Sequence, residues 1–538
     1  MTLPENSKKP LYYTLIIVFA GTLLRLWVAG STGLGIGEAY YFRGAENLDL
    51  SYFDQPPLFF WLSGLSIRLL GYSTFALRLP AVLLFAGTTW LMFIITRRLF
   101  NAWAGLFAVI LLNISIVFTI PVAAWFQPDA PLMFFWLLCT WLLIRILFPK
   151  TGTNTQDIRN RGKTYLLWIL TGIILGLTTL SKYHAGFLLA GTLLFVIVNK
   201  NQRHWIWHPG PYIALLICAL ISTPVIMWNM EHNWASFAFQ GARAGSGGSF
   251  SLHLDWFFRS ILGQALWIAP WIWIPLVFQL FVTFKKRSTN PVFYFCFWTA
   301  ILPIVFFTVV TLWSDTGFHF HWQAPGYLML FFPLGLTVYN RINSHHKKRK
   351  RTIRWLYGSA AFTIIFGAVL LSHTETGFWQ RYGPRWIVQQ FGGEYDPTIE
   401  GTDYDEIYDR FVKERWMEDT SLFVASVRWW QAGKIDWALK GQKDVIIFHH
   451  DPRNYAYFFD PCRHLGKDAI LVAQGKKGAI NDYAKPFFDE ITQLQDIEIK
   501  RNNITELTLQ VYYCRFFKVP DKPVKDVPVY RKLMNDSL

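Results

Sequence analysis

Residues 76–98 read ALRLPAVLLFAGTTWLMFIITRR, and this stretch decides the fold. From Ala76 to Thr96 the only charge is Arg78, and the run closes on Arg97 and Arg98. A helix needs about 20 mostly apolar residues to cross a bilayer, and this run supplies them. Working outward, comparable stretches lie near 11–29, 101–120, 130–148, 165–181, 185–199, 212–228, 260–284, 292–313, 327–340 and 355–372. The expected fold is therefore mostly α, a multi-pass membrane protein of about 11–13 transmembrane helices. Between the first two stretches, Pro57 to Leu70 is amphipathic and is expected to lie along the interface. The first stretch follows a polar segment with Lys8 and Lys9 and reads as a signal anchor that is kept.

Composition agrees. Of 538 residues, 16% are charged and 53% hydrophobic, too little charge for a water-facing shell. Aromatics reach 18%, which suits a long membrane–water boundary. The net charge of +16 would suit nucleic acid, but its placement argues otherwise. With the N-terminus in the cytoplasm, one set of alternate loops holds Arg97 and Arg98; Arg145, Lys150, Arg159, Arg161 and Lys163; Lys200 and Arg203; Lys285 to Arg287; and Lys347 to Arg351. The other set has only scattered basic residues, among them Arg43, Arg78, Lys182 and Arg243. This is the positive-inside pattern, so the charge records topology and no nucleic-acid partner is expected.

After Ser372 the pattern changes. Short apolar runs at Leu422–Trp429, Val445–His449, Ala469–Val472 and Leu507–Phe517 alternate with helical patterns at Tyr404–Arg415 and Tyr483–Leu494. The chain thus divides into a membrane domain, 1–372, and an extracytoplasmic α/β domain, 373–538. Cys462 and Cys514 fall in the second, where a disulfide is expected to persist.

The polar motifs collect on one side of the membrane. Successive loops on that side carry Gly37-Glu38-Ala39-Tyr40-Tyr41 and Tyr52-Phe53-Asp54-Gln55-Pro56-Pro57; Gln127-Pro128-Asp129-Ala130-Pro131; Ser181-Lys182-Tyr183-His184; Trp228 to Gln240 with His232, then Arg243 and the glycine-rich 245–248; and His319, His321 and Trp322. Each has a plain reading. Asp129 could cap a helix, Lys182 could snorkel to headgroups, and the histidines could belong to an aromatic belt. His319-x-His321 lacks a carboxylate or cysteine at metal-ligand spacing. Together they suit group transfer: a carboxylate deprotonates a hydroxyl, a cation neutralises a phosphate leaving group, and aromatics hold a sugar and lipid.

At Glu38-Ala39-Tyr40-Tyr41, Tyr52 to Pro57, Arg78-Leu79-Pro80, Pro128 to Pro131, Ser181-Lys182-Tyr183 and His321-Trp322 the chain resembles the GT-C polyprenyl-phosphate-sugar glycosyltransferases. The branch is that of protein O-mannosyltransferase-like and lipid A aminoarabinose or galacturonic acid transferases. The resemblance implies inverting transfer from a polyprenyl-phosphate sugar to a lipid A, glycan or protein acceptor on the non-cytoplasmic face of the cell inner membrane. That family carries an Asp-Glu pair where this chain has Gly37-Glu38, so Glu38 becomes the expected base, with Asp129 and Asp54 as further catalytic acids. Lys182 and Arg78 are expected at the donor phosphate. Tyr40, Tyr41, Tyr183, His184, His232, Gln240, Arg243, His319, His321 and Trp322 complete the expected substrate contacts. Some relatives hold a divalent cation near the Asp54 position; no other cofactor is implied. Two other classes stay open: a transporter or flippase, which would place charges at mid-membrane, and a catalytically impaired homologue.

Overall fold

The computed structural model describes residues 3, 7–149, 161–245, 251–314, 319, 321–391, 396–475, 480–524 and 527–534. Lys150, Arg159 and residues 246–248 of the glycine-rich run lie outside the described residues. Every long apolar stretch is helical. The chain opens with α1 (Lys9–Ser31), α2 (Ile36–Glu46), α3 (Leu58–Leu70), α4 (Thr74–Leu99), α5 (Ala102–Asn113) and α6 (Asp129–Leu147). Helices Arg161–Ser181, Ala185–Val198, Pro209–Ile221, Thr223–Glu231, Leu254–Ile268, Pro270–Lys285, Pro291–Val309, Ala324–Ile342 and His346–Thr376 follow.

Among the described residues, six helices are long and apolar enough to cross a membrane, or eight if each of two bent pairs counts as one span. The other expected stretches are shorter, bent or interrupted, and the reasons are local. The 260–284 stretch is two helices meeting at 112°, because Ala269 adopts φ +86° and Pro270 restarts the helix with no N–H to donate. The 212–228 stretch bends by 44° ahead of Pro224. The 101–120 stretch stops at Asn113 and re-forms only as the short Phe118–Val122 turn around Pro121. Helix α5 has 12 residues and Ala185–Val198 has 14, both short of a full crossing.

The membrane core lies between α4, α5, α6 and Ala324–Ile342, which is buried along nearly its whole length. There Gly335 lets its backbone approach the Ala104 carbonyl of α5, the small-residue contact that membrane helices use in place of a hydrophobic drive. The first and last long helices are mostly exposed, so they form the rim.

Beyond Thr376 a six-stranded mixed sheet forms, with the order β2 (Val445–Ile447), β1 (Leu422–Ser426), β3 (Asp468–Ala473), β6 (Ile504–Phe517), β4 (Phe488–Gln493); β5 (Ile497–Arg501) also pairs β6. Strands β1, β2 and β3 run parallel, whereas β6 is antiparallel to β3, β4 and β5. The 483–494 segment departs from its helical pattern: after short turns it becomes β4, because the free edge of β6 offers it a ladder. Cys462 is exposed and Cys514 is buried within β6, and both thiols are free. The expected disulfide does not form.

The sheet domain docks on α2. The crossover helix Trp429–Ala438 lies against α2 so closely that a Cβ at Gly433 would fall 2.5 Å from the Tyr40 backbone nitrogen. Arg43 of α2 makes a bidentate ion pair with buried Asp436 and donates to the Lys443 carbonyl at 3.0 Å. From the other side, the Lys434 ammonium donates to the backbone carbonyls of Leu34, Glu400 and Thr402. Burial pulls that ammonium down to about 8, against the pull of Asp403.

Candidate active site

The polar loops do converge, on the membrane face that carries the sheet domain. Tyr183 meets Ser236 at 2.8 Å, Gln240 donates to the Asp54 carbonyl at 2.7 Å, and the Trp228 indole donates to Asp49 at 2.9 Å. Between them lies a cavity of about 200 Å³ lined by Gln55, Lys182, Tyr183, His184, Phe187, Gln240, Arg243, Phe306, Phe307 and Trp322. Its walls are mainly aromatic, and besides Tyr183 and His184 its polar residues are two cations and two amides. That suits an anion carried on an apolar body.

The three acids behave differently. Glu38 is the third residue of α2 and accepts four hydrogen bonds: from Arg78 Nε at 2.8 Å and Nη2 at 2.6 Å, from Gly35 N–H at 3.0 Å and from Phe126 N–H at 2.7 Å. Arg78 gives its other donors to Gly33, Thr32 and Ala29 oxygens. Both side chains are buried and mutually saturated, and neither lines the cavity. Glu38 and Arg78 thus tie α2 to α1 and α4.

Asp129 begins α6, and both of its oxygens lie 3.0 Å from Lys182 Nζ. Lys182 is 5% exposed, so it is not reaching for headgroups. It pairs with Asp129 and also lines the cavity. An ammonium has three donors, and two are directed at Asp129.

Asp54 is the third acid. Its Oδ1 accepts from the Asn454 side chain at 3.0 Å, and the Tyr40 hydroxyl is a further stabilising neighbour. Burial pushes its carboxyl above the usual range, with Arg453 and Arg243 opposing that shift. Arg243 is held over Trp322 at 4.9 Å and Phe239 at 5.2 Å, and Arg453 is stacked on Trp429 at 3.8 Å. Tyr41 accepts from Gln55 at 3.3 Å and packs its ring on Phe59 and Phe60.

His184 stacks on Phe307 at 4.5 Å, and its buried Nε2 has no protein partner beside the cavity. His319 packs on Trp322 at 4.7 Å and sits 5.8 Å from His321. Burial, with Lys182 and Arg243 nearby, pushes His321 down to about 4 despite Asp129, so it is neutral at pH 7. His232 stands apart. It stacks on Trp228 at 4.1 Å and bonds the Trp228 carbonyl, outside the cavity lining.

A divalent cation finds no cage beside Asp54. The neighbours are two guanidiniums, phenols and an amide, and no cluster of three His, Cys, Asp or Glu side chains occurs among the described residues. That donor set does not fit such an ion.

Sequence reading missed the sheet domain's share. Arg453 and Asn454 follow β2, and Trp429 follows β1, at the carboxyl ends of two parallel strands, where open sheets place their ligand-binding residues. The polar run from His449 to Asn454 after an apolar strand was the available signal.

Residues 54–228 match the family described as dolichyl-phosphate-mannose-protein mannosyltransferase. An undecaprenyl phosphate-α-4-amino-4-deoxy-L-arabinose arabinosyl transferase of Proteus mirabilis is 22% identical over 270 residues, 49% of this chain and 46% of its own length. A lipid A galacturonosyltransferase of Rhizobium johnstonii is 24% identical over 226 residues, 41% of this chain and 44% of its own. The chain thus spans under half the length of these curated relatives. Among solved structures, ArnT from Cupriavidus metallidurans bound to undecaprenyl phosphate superposes with a TM-score of 0.61 at 13% identity, over 93% of this chain and 97% of that one. The oligosaccharyltransferase AglB from Archaeoglobus fulgidus gives 0.54 at 11% identity, over 98% and 78%. The chain is thus a membrane protein with several membrane-length apolar helices, and it shares the fold of these solved structures.

Proposed function

We propose that the protein transfers a sugar, with inversion, from a polyprenyl-phosphate donor to a hydroxyl or phosphate of a lipid or glycan acceptor in the cell inner membrane. The observation that carries this reading is the cavity itself: Lys182 and Arg243 face it from aromatic walls, with the Asp54 carboxylate beside Arg243. Lys182 and Arg243 hold the donor phosphate, and Asp129 keeps Lys182 in place. Asp54 takes the proton from an acceptor hydroxyl as that oxygen attacks the anomeric carbon. The bond from that carbon to the phosphate oxygen breaks, and the charge left on the phosphate is met by Lys182 and Arg243. Neutral His184 and His321 supply hydrogen bonds without repelling those cations.

The site belongs to the non-cytoplasmic face on this reading. Support comes from the basic clusters Arg97–Arg98, Lys285–Arg287 and Lys347–Arg351, which all fall at helix ends remote in sequence from the polar loops. Residues 1–372 then form the catalytic domain, with 373–538 as the extracytoplasmic domain over it. A reporter fused after Thr376 should be active outside the cytoplasm, and one after Lys350 inside; the reverse pattern rejects the orientation. The function is tested with undecaprenyl-phosphate-linked sugars in proteoliposomes. Release of undecaprenyl phosphate with a glycosylated acceptor supports transfer, whereas movement of intact donor across the bilayer supports a flippase.

A further inference from the structure

One residue that touches the Asp54 carboxylate comes from a distant part of the chain. Asn454 is buried and makes three directed contacts. Its side-chain carbonyl accepts from Phe53 N–H at 2.7 Å, its amide donates to Asp54 Oδ1 at 3.0 Å, and its backbone N–H donates to the Tyr40 hydroxyl at 3.1 Å. The Phe53 contact fixes which way the amide faces, so the NH₂ group is the one presented to the carboxylate. The turn that delivers it is braced. Arg453 takes the left-handed φ of +49° and stacks on Trp429, and the Gly433 contact seats the crossover helix on α2.

We propose that Asn454 is a positioning residue for Asp54, through which the sheet domain sets the orientation of the carboxylate that deprotonates the acceptor. This rests on the reading of Asp54 as base. A latch that only joined two domains would need the Phe53 and Tyr40 contacts and not the one to Asp54. Five other titratable or charged groups act on Asp54: Arg453, Arg243, Tyr40, Tyr41 and Tyr183. Burial disfavours its charged form, and the two arginines favour it. The Asn454 amide also favours the charged form, so removing that donor must move Asp54 upward.

The test uses the full chain in detergent. Asn454→Asp keeps an oxygen for Phe53 N–H but faces Asp54 with a second carboxylate. The Asp54 carboxyl band in infrared difference spectra, identified by its loss in Asp54→Asn, should then titrate about one pH unit or more higher. The acid limb of turnover with undecaprenyl-phosphate-linked sugar should move up with it, and kcat should fall more than the donor KM changes. Asn454→Ala adds no charge and should move both in the same direction by less. Hydrogen exchange over Ile36–Glu46 reports whether the domains stay docked. Band and limb left in place in both variants overturn the proposal, whether or not docking loosens. Turnover that survives Asp54→Asn while the band still shifts rejects Asp54 as base and leaves the contact itself established.

Discussion

Two buried acid–cation pairs serve the same membrane face, Glu38 with Arg78 and Asp129 with Lys182, and they differ in what they leave unused. In the first, four donors fill the carboxylate and the guanidinium is exhausted on it and on carbonyls. In the second, the ammonium touches both oxygens of its partner and still borders the cavity. Residue type does not separate the two pairs. The count of satisfied donors and acceptors does.

The largest expected effect lies outside both pairs. Asp54→Asn should lower turnover by about 10²–10⁴-fold with donor binding kept, because a positioned base is lost. An Asp54→Asn enzyme at near wild-type rate, with Glu38→Gln inactive, would invert the comparison. Next, Lys182→Ala should weaken undecaprenyl phosphate binding roughly 10- to 100-fold, the equivalent of one charge-assisted contact of about 1.5–3 kcal/mol. Lys182→Arg should restore part of it. Unchanged donor affinity in Lys182→Ala would mean the second pair is as closed as the first. The smallest effect on catalysis belongs to Glu38→Gln. It leaves buried Arg78 without its counter-charge and should cost about 3–5 kcal/mol in thermal or denaturant stability. Turnover per folded molecule should stay within about threefold, since one residual hydrogen-bond change outside the site is worth little. A fully stable but inactive Glu38→Gln would sink the distinction.

Much of this was legible in the residues, for a physical reason. Span length and basic loop ends are properties of short segments, so the membrane class could be read directly, as could the gathering of Asp54, Asp129, Lys182 and Trp322. What a side chain does once there depends on partners far away. That Glu38 is filled by Arg78, 40 positions on, and by the Phe126 amide, 88 positions on, could not be read from its own segment. Asn454 and Arg453 were passed over because nothing near them in sequence shows that their turn meets the first loop. The kink at Ala269 and the strand at Phe488–Gln493 were missed for a related reason: apolar periodicity records which residues seek burial, and not where a proline or an open sheet edge redirects them.

The contact between Asp54 and Asn454 joins residues 400 positions apart, and that distance sets a clock. At about 5–20 residues per second of synthesis, the two leave the ribosome roughly 20–80 s apart. The first loop and its neighbours must therefore wait, with Asp54 lacking its partner, until the sheet domain has been made and folded onto α2. Completion of the surroundings of Asp54 thus waits on the sheet domain, and a chain truncated before β2 would insert without acquiring them.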